Sequence, residues 1–111
     1  MSHFNQSPEF EKELKKLSKK YRSLPKDLKD LEEVLVVSPT GLGKNFTIVH
    51  STESVKIVKA RLACESIGNR NVRIIYAYHN DTFEFMYIEI YFKGDKENED
   101  RSRIEKYLKS F

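Results

Sequence analysis

The feature that most constrains this chain is a change in the spacing of its apolar residues near residue 46. Before it, Phe10, Leu14, Leu17 and Tyr21 recur at intervals of four, three and four, and Leu24, Leu28, Leu31 and Leu35 repeat that pattern. Each set is one stripe of a helix, with Lys and Glu on the remaining surface. Ser7 is placed to cap the first helix, Pro8 fits its first turn, and Pro25 marks the break before the second. Beyond residue 46 the pattern becomes strand-like. Residues 46–49, 55–64, 71–79 and 82–93 are rich in Ile, Val, Phe and Tyr. Asn80-Asp81 makes a hairpin turn and residues 65–70 a connecting loop. His3 to Gln6 reads as a short edge strand. A last helix carries Ile104, Tyr107, Leu108 and Phe111, with Asp95 or Asn98 as its cap. The order predicts an α+β fold: an N-terminal helical hairpin, joined by a Ser-Leu-Pro turn, packed on a three- to four-stranded antiparallel sheet, with a C-terminal helix.

A chain of 111 residues fits one domain, 1–111, and 39% hydrophobic residues can furnish its core. Cys64 is the single cysteine, so no internal disulfide forms, and one thiol cannot build a zinc site. It is expected to be a buried small hydrophobe. No apolar run approaches the roughly 20 residues of a membrane span, and no basic-then-apolar leader opens the chain. The expectation is a cytoplasmic protein with no metal or other cofactor. Gly41-Leu42-Gly43-Lys44 superficially suggests a phosphate-binding loop. That pattern requires Gly at position 38 and Ser or Thr at 45, where this chain has Ser38 and Asn45.

Net charge is only +3, but its distribution is uneven. Lys56, Lys59, Arg61, Arg70 and Arg73 fall within 18 residues that contain one acid, Glu65. Side chains alternate between the faces of a strand. Lys59 and Arg61 therefore share a face. On the last strand Ile88, Ile90 and Phe92 read as core, and Tyr87, Glu89, Tyr91 and Lys93 as the opposite, exposed face. Arg73 lies two residues from Ile75 and joins the cationic face through a strand end or bulge. A sheet presenting Lys59, Arg61, Arg73, Tyr91 and Lys93 suits an RNA backbone: cations hold phosphates, and phenols stack on bases or donate to phosphate oxygens. It also suits RNA cleavage by a ribose 2′-OH, where cations stabilise the charge developing on phosphorus without a metal. Glu89 and His79 are the candidate bases. The bland alternative makes Lys56 and Arg70 solvated guards of a strand edge, and Tyr87 and Tyr91 partly buried core residues.

The order and spacing of these segments resemble the RelE/ParE superfamily of toxins. Residues 10–17 followed by Tyr21-Arg22-Ser23-Leu24 resemble the opening helices. Lys59-Ala60-Arg61-Leu62-Ala63 and Arg73-Ile74-Ile75-Tyr76 resemble the paired strands, and Ile90-Tyr91-Phe92-Lys93 with Asp95-Lys96-Glu97-Asn98 the last strand of the HigB-like branch. The resemblance implies a RelE-like fold and the toxin half of a type II toxin–antitoxin pair. It implies an endoribonuclease (mRNA interferase) that cleaves mRNA on the ribosome, partnered by an antitoxin, a small helix-turn-helix DNA-binding protein. Catalysis is then assigned to Lys59, Arg61, Arg73, Tyr91 and Lys93, with Lys56, Arg70 and Lys96 binding RNA, and Tyr107 stands where some relatives place a catalytic tyrosine. The three strand cations are expected to be exposed. Two alternatives remain open: a gyrase-poisoning toxin of the ParE kind, and a plain RNA-binding module.

Overall fold

In the computed structural model, which describes residues 3–110, the chain forms β1 (His3–Gln6), α1 (Pro8–Lys20), α2 (Leu24–Val37), a short 3-10 turn (Gly43–Asn45), β2 (Phe46–Ser51), β3 (Val55–Cys64), β4 (Asn69–His79), β5 (Glu84–Phe92) and α3 (Arg101–Leu108). Ser7 caps α1 as expected, its Oγ accepting the Phe10 N–H at 3.2 Å. The cap of α3 is Asp100, which accepts from the Arg103 N–H at 3.1 Å, and neither Asp95 nor Asn98. Phe111, expected to extend the apolar stripe of α3, lies outside the described residues.

The strands form one sheet in the order β1-β5-β4-β3-β2. It has five strands instead of three or four, and it is mixed. β1 runs parallel to β5, while the other pairs are antiparallel. The helices also differ from the expected hairpin. Each lies mainly on the sheet, α1 over β5 and α2 over β3, with less contact between the two; the strand that precedes them, β1, is an edge strand as expected. The stripes read from the sequence are correct, but their partner is the sheet. Phe10, Leu24, Leu28, Leu31 and Leu35 pack on Val58, Leu62, Ile74, Tyr76 and Ile90. Each such side chain contributes roughly 1.5–3 kcal/mol on burial. Gly41, in the Gly-Leu-Gly-Lys loop, has φ +78°, and a Cβ there would lie 2.0 Å from the Phe46 ring. It serves close packing.

The opposite face is covered at one end. Ile104 of α3 packs on Val55, Ile57, Ile75, Ala77 and Ile88. An eight-residue helix spans only about 12 Å, so the end of this face that carries Lys59, Arg61, Arg73 and Tyr91 lies beyond it. β1 stops at Gln6, opposite Tyr87. The bare edge of β5 beyond that point is met by side chains. Glu13 accepts from the Ile90 N–H at 3.3 Å. Arg103 donates to the Ile88 carbonyl at 2.9 Å and to both Glu13 oxygens at 2.8 and 2.9 Å. Among the described residues no helix is long and apolar enough to cross a membrane.

Candidate nucleic-acid interface

Three strands bring the candidate residues into a row. Arg61 of β3 is directly opposite Arg73 of β4, which is directly opposite Tyr91 of β5. Directly opposed residues hold their Cβ atoms about 5 Å apart. Two residues along, Lys59, Ile75 and Glu89 form the next row on the same face. Arg73 reaches this face by plain alternation with Ile75 and Ala77, and needs neither a bulge nor a strand end.

The bulge falls on β5. Glu89 pairs with Ile75 and Tyr87 with Tyr76, which leaves Ile88 unmatched. One extra residue reverses the alternation. Ile88 therefore faces α3, and Tyr87 turns to the helix side, fully buried against Phe10. Its hydroxyl donates to Glu32 at 3.1 Å, and burial, then the Glu32 charge, drive its pKa far up. Tyr87 is thus a core residue and does not edge the cationic face. Tyr87→Phe is expected to cost about 1 kcal/mol, the net worth of one hydrogen bond, read by denaturant unfolding.

Within the row the cations differ. Arg61 is exposed, but Arg73 is only 5% exposed, against expectation. Its guanidinium donates to the Arg70 carbonyl and has no carboxylate partner among the described residues. Burial, then the Arg61 charge, lower its pKa, and the Tyr91 phenol opposes them. Tyr91 is 5% exposed, and its hydroxyl has no hydrogen-bond partner among the described residues. Burial, then Glu99 and Glu89, push that phenol up to about 12. At neutral pH it is a proton donor and not a base.

The segment after β5 folds back over this face. Lys96 sits 5.4 Å from the centre of the Tyr91 ring and pairs with Glu89. Glu89 is fully buried, with its other oxygen accepting the Asp100 N–H at 2.8 Å. Glu99 accepts from Lys59 at 3.0 Å and lies 3.8 Å from Arg101. Burial would raise the Glu99 carboxyl, but its own backbone N–H, the Lys59 hydrogen bond and charge, and Arg101 outweigh it and hold the group below its ordinary value. Sequence reading missed Glu99. It lies in a polar linker with no apolar period, where only the fold puts it against β3.

Other expected residues are not brought together. Lys56 lies on the opposite face, its ammonium on Ser51 Oγ at 2.9 Å and the Thr52 carbonyl at 3.0 Å. Arg70 is spent on the Arg61 carbonyl at 3.3 Å and borders a groove with Asp30 and Val34 of α2. Lys93 is exposed just beyond the end of β5. His79 is bonded to Tyr107 and lies six residues along β4 from Arg73, roughly 20 Å at strand rise. That removes both from the row. Cys64 is buried, as expected. Among the described residues no group of three or more His, Cys, Asp or Glu side chains is placed to hold a metal ion.

No family model matches the chain, and no curated protein matches it. Among solved structures it is similar to a chain of the archaeal RelE–RelB complex from Pyrococcus horikoshii, with a TM-score of 0.65 at 16% sequence identity, over 84% of this chain and 96% of that one. Likeness at that identity is likeness of fold, and the fold of this chain is RelE-like.

Proposed function

We propose that the chain, as one RelE/HigB-like toxin unit, is the toxin of a type II toxin–antitoxin pair and cleaves mRNA on the ribosome in the cytoplasm. The observation that carries this reading is the cross-strand row of Arg61, Arg73 and Tyr91, with Lys59 beside it. A trigonal-bipyramidal phosphorane spreads negative charge over its equatorial oxygens, and fixed cations stabilise it more than the ground state. Lys59, Arg61 and Arg73 supply that charge, Tyr91 a protonated donor, and Lys96 a cation over the Tyr91 ring. Lys93, exposed just past the end of β5 and outside the row, is a further contact for the RNA backbone. The reaction so supported needs no metal or other cofactor. The likeness to a RelE–RelB complex supports a protein partner, an antitoxin with a helix-turn-helix DNA-binding part that silences the row.

The test is induction of the chain in bacterial cells, followed by mapping of RNA ends. The expected result is growth arrest with loss of translated mRNA and new ends bearing 2′,3′-cyclic phosphates, suppressed by the protein encoded alongside. DNA breaks with intact mRNA would replace this reading with gyrase poisoning, and undisturbed growth would leave a plain RNA-binding module.

A further inference from the structure

Transesterification to a cyclic phosphate requires a group that takes the 2′-OH proton; in the row Arg61 and Arg73 are guanidinium groups and Tyr91 a phenol, and Lys59 beside it is engaged as the ion-pair partner of Glu99. We infer that Glu99 is that general base, delivered by the segment between β5 and α3 and held ready by Lys59 until a phosphate displaces it. The inference rests on the nuclease reading above.

The alternatives on this face are occupied or unsuited. Glu89 is fully buried with one oxygen on Lys96 and the other on the Asp100 N–H. Tyr91 is protonated at neutral pH. His79 lies at the far end of the sheet. The Glu99 side chain is 6% exposed and that of Lys59 27%, and the two meet at 3.0 Å. Lys59 from β3, Arg101 from α3 and Tyr91 from β5 act on Glu99, and the Glu89–Lys96 pair lies against the same Tyr91. A phosphodiester entering the row attracts Lys59, and the ammonium exchanges one anion for another. Glu99 then keeps its burial but loses the partner that offsets it, so its affinity for a proton rises as the substrate arrives. In the step itself, the 2′-OH proton passes to a Glu99 oxygen and the O2′–P bond forms. The P–O5′ bond then breaks, the departing oxygen takes the Tyr91 phenolic proton, and solvent returns Tyr91 and Glu99 to their starting states. The products are a 2′,3′-cyclic phosphate and a 5′-hydroxyl.

The experiment is single-turnover cleavage of mRNA on programmed ribosomes by the full chain, as wild type, Glu99→Gln and Lys59→Met, across about pH 5 to 9. Glu99→Gln should cleave about 10²- to 10⁴-fold more slowly, the usual contribution of a general base, while ribosome affinity stays within about threefold. The wild-type rate should fall on the acid side. That fall should vanish in Glu99→Gln and, at enzyme concentrations well below saturation where the free enzyme is read, move to higher pH in Lys59→Met, a shift that a merely structural role would not produce. Cleavage by Glu99→Gln within about threefold of wild type would overturn the inference. Should that variant fail to fold, a wild-type rate that is flat on the acid side overturns it equally. If the wild-type chain cleaves nothing, the nuclease reading itself has failed, an outcome that does not depend on position 99.

Discussion

Arg73→Met is expected to slow RNA cleavage by about 10²- to 10³-fold and at the same time to raise the melting temperature. The first effect is the scale of removing one charge-stabilising donor from a reacting centre. The second follows from the position of Arg73. The side chain is 5% exposed, it opposes Arg61 in register, and no described carboxylate compensates it. A buried cation facing a like charge is costly to the folded state, and an apolar side chain of similar length is often neutral or stabilising there. A gain of about 1 kcal/mol would appear as several degrees in a domain of this size. Lost activity with raised stability is the signature of a site held under electrostatic strain for its function. A melting temperature below that of wild type would show that Arg73 is a structural strut, and the loss of activity would then carry no catalytic meaning.

Lys96→Met should destabilise the chain by about 2 kcal/mol. Glu89 is fully buried, and without Lys96 it retains a single donor, the Asp100 N–H. Removing one partner of a buried pair typically costs about 3–5 kcal/mol. The smaller figure allows for the 40% exposure of the Lys96 side chain, which lets water reach the carboxylate. Glu89→Met combined with Lys96→Met should recover most of the loss. Urea unfolding of the two single variants and the double variant gives the coupling directly. Additive losses would mean that the pair is not coupled and that Lys96 does not hold the segment after β5.

The parts of the fold legible in the sequence are those governed by short-range periodicity. The second helix stripe buries Leu24, Leu28, Leu31 and Leu35, while in the first Phe10 is fully enclosed and Leu14, Leu17 and Tyr21 are half-buried against the same core. The span 55–64 is a strand throughout, and the shared face of Lys59 and Arg61 follows from alternation. The errors arise where distant chain segments decide. Nothing in His3–Gln6 states that its neighbour is β5, or that the pairing is parallel. Tyr87 and Ile88 exchanged faces because a single unmatched residue reverses the phase, and an Ile-rich strand gives no local sign of it. Arg73 looked exposed because charge was taken as a guide to solvent, whereas the fold encloses it. Glu99 and the α3 cap Asp100 follow a polar linker and are held by Lys59, 40 residues away, and by Glu89, 11 residues back on β5, contacts that no local period announces. The row of cations could thus be anticipated, but the carboxylate that meets it could not.

The two edges of the sheet also differ in what they permit. On the β1 side, a four-residue strand is followed by the Glu13–Arg103 clamp, which occupies the hydrogen-bonding groups of Ile88 and Ile90. On the other side, β2 presents its outer backbone along six residues, including the half-exposed Ile48. Strand addition propagates without limit only when a sheet can pair at both edges. With one edge short and plugged, pairing through β2 consumes the remaining long edge of each molecule. Two copies would join once, edge to edge, and growth would stop there. At high local concentration this asymmetry favours closed pairs over fibres.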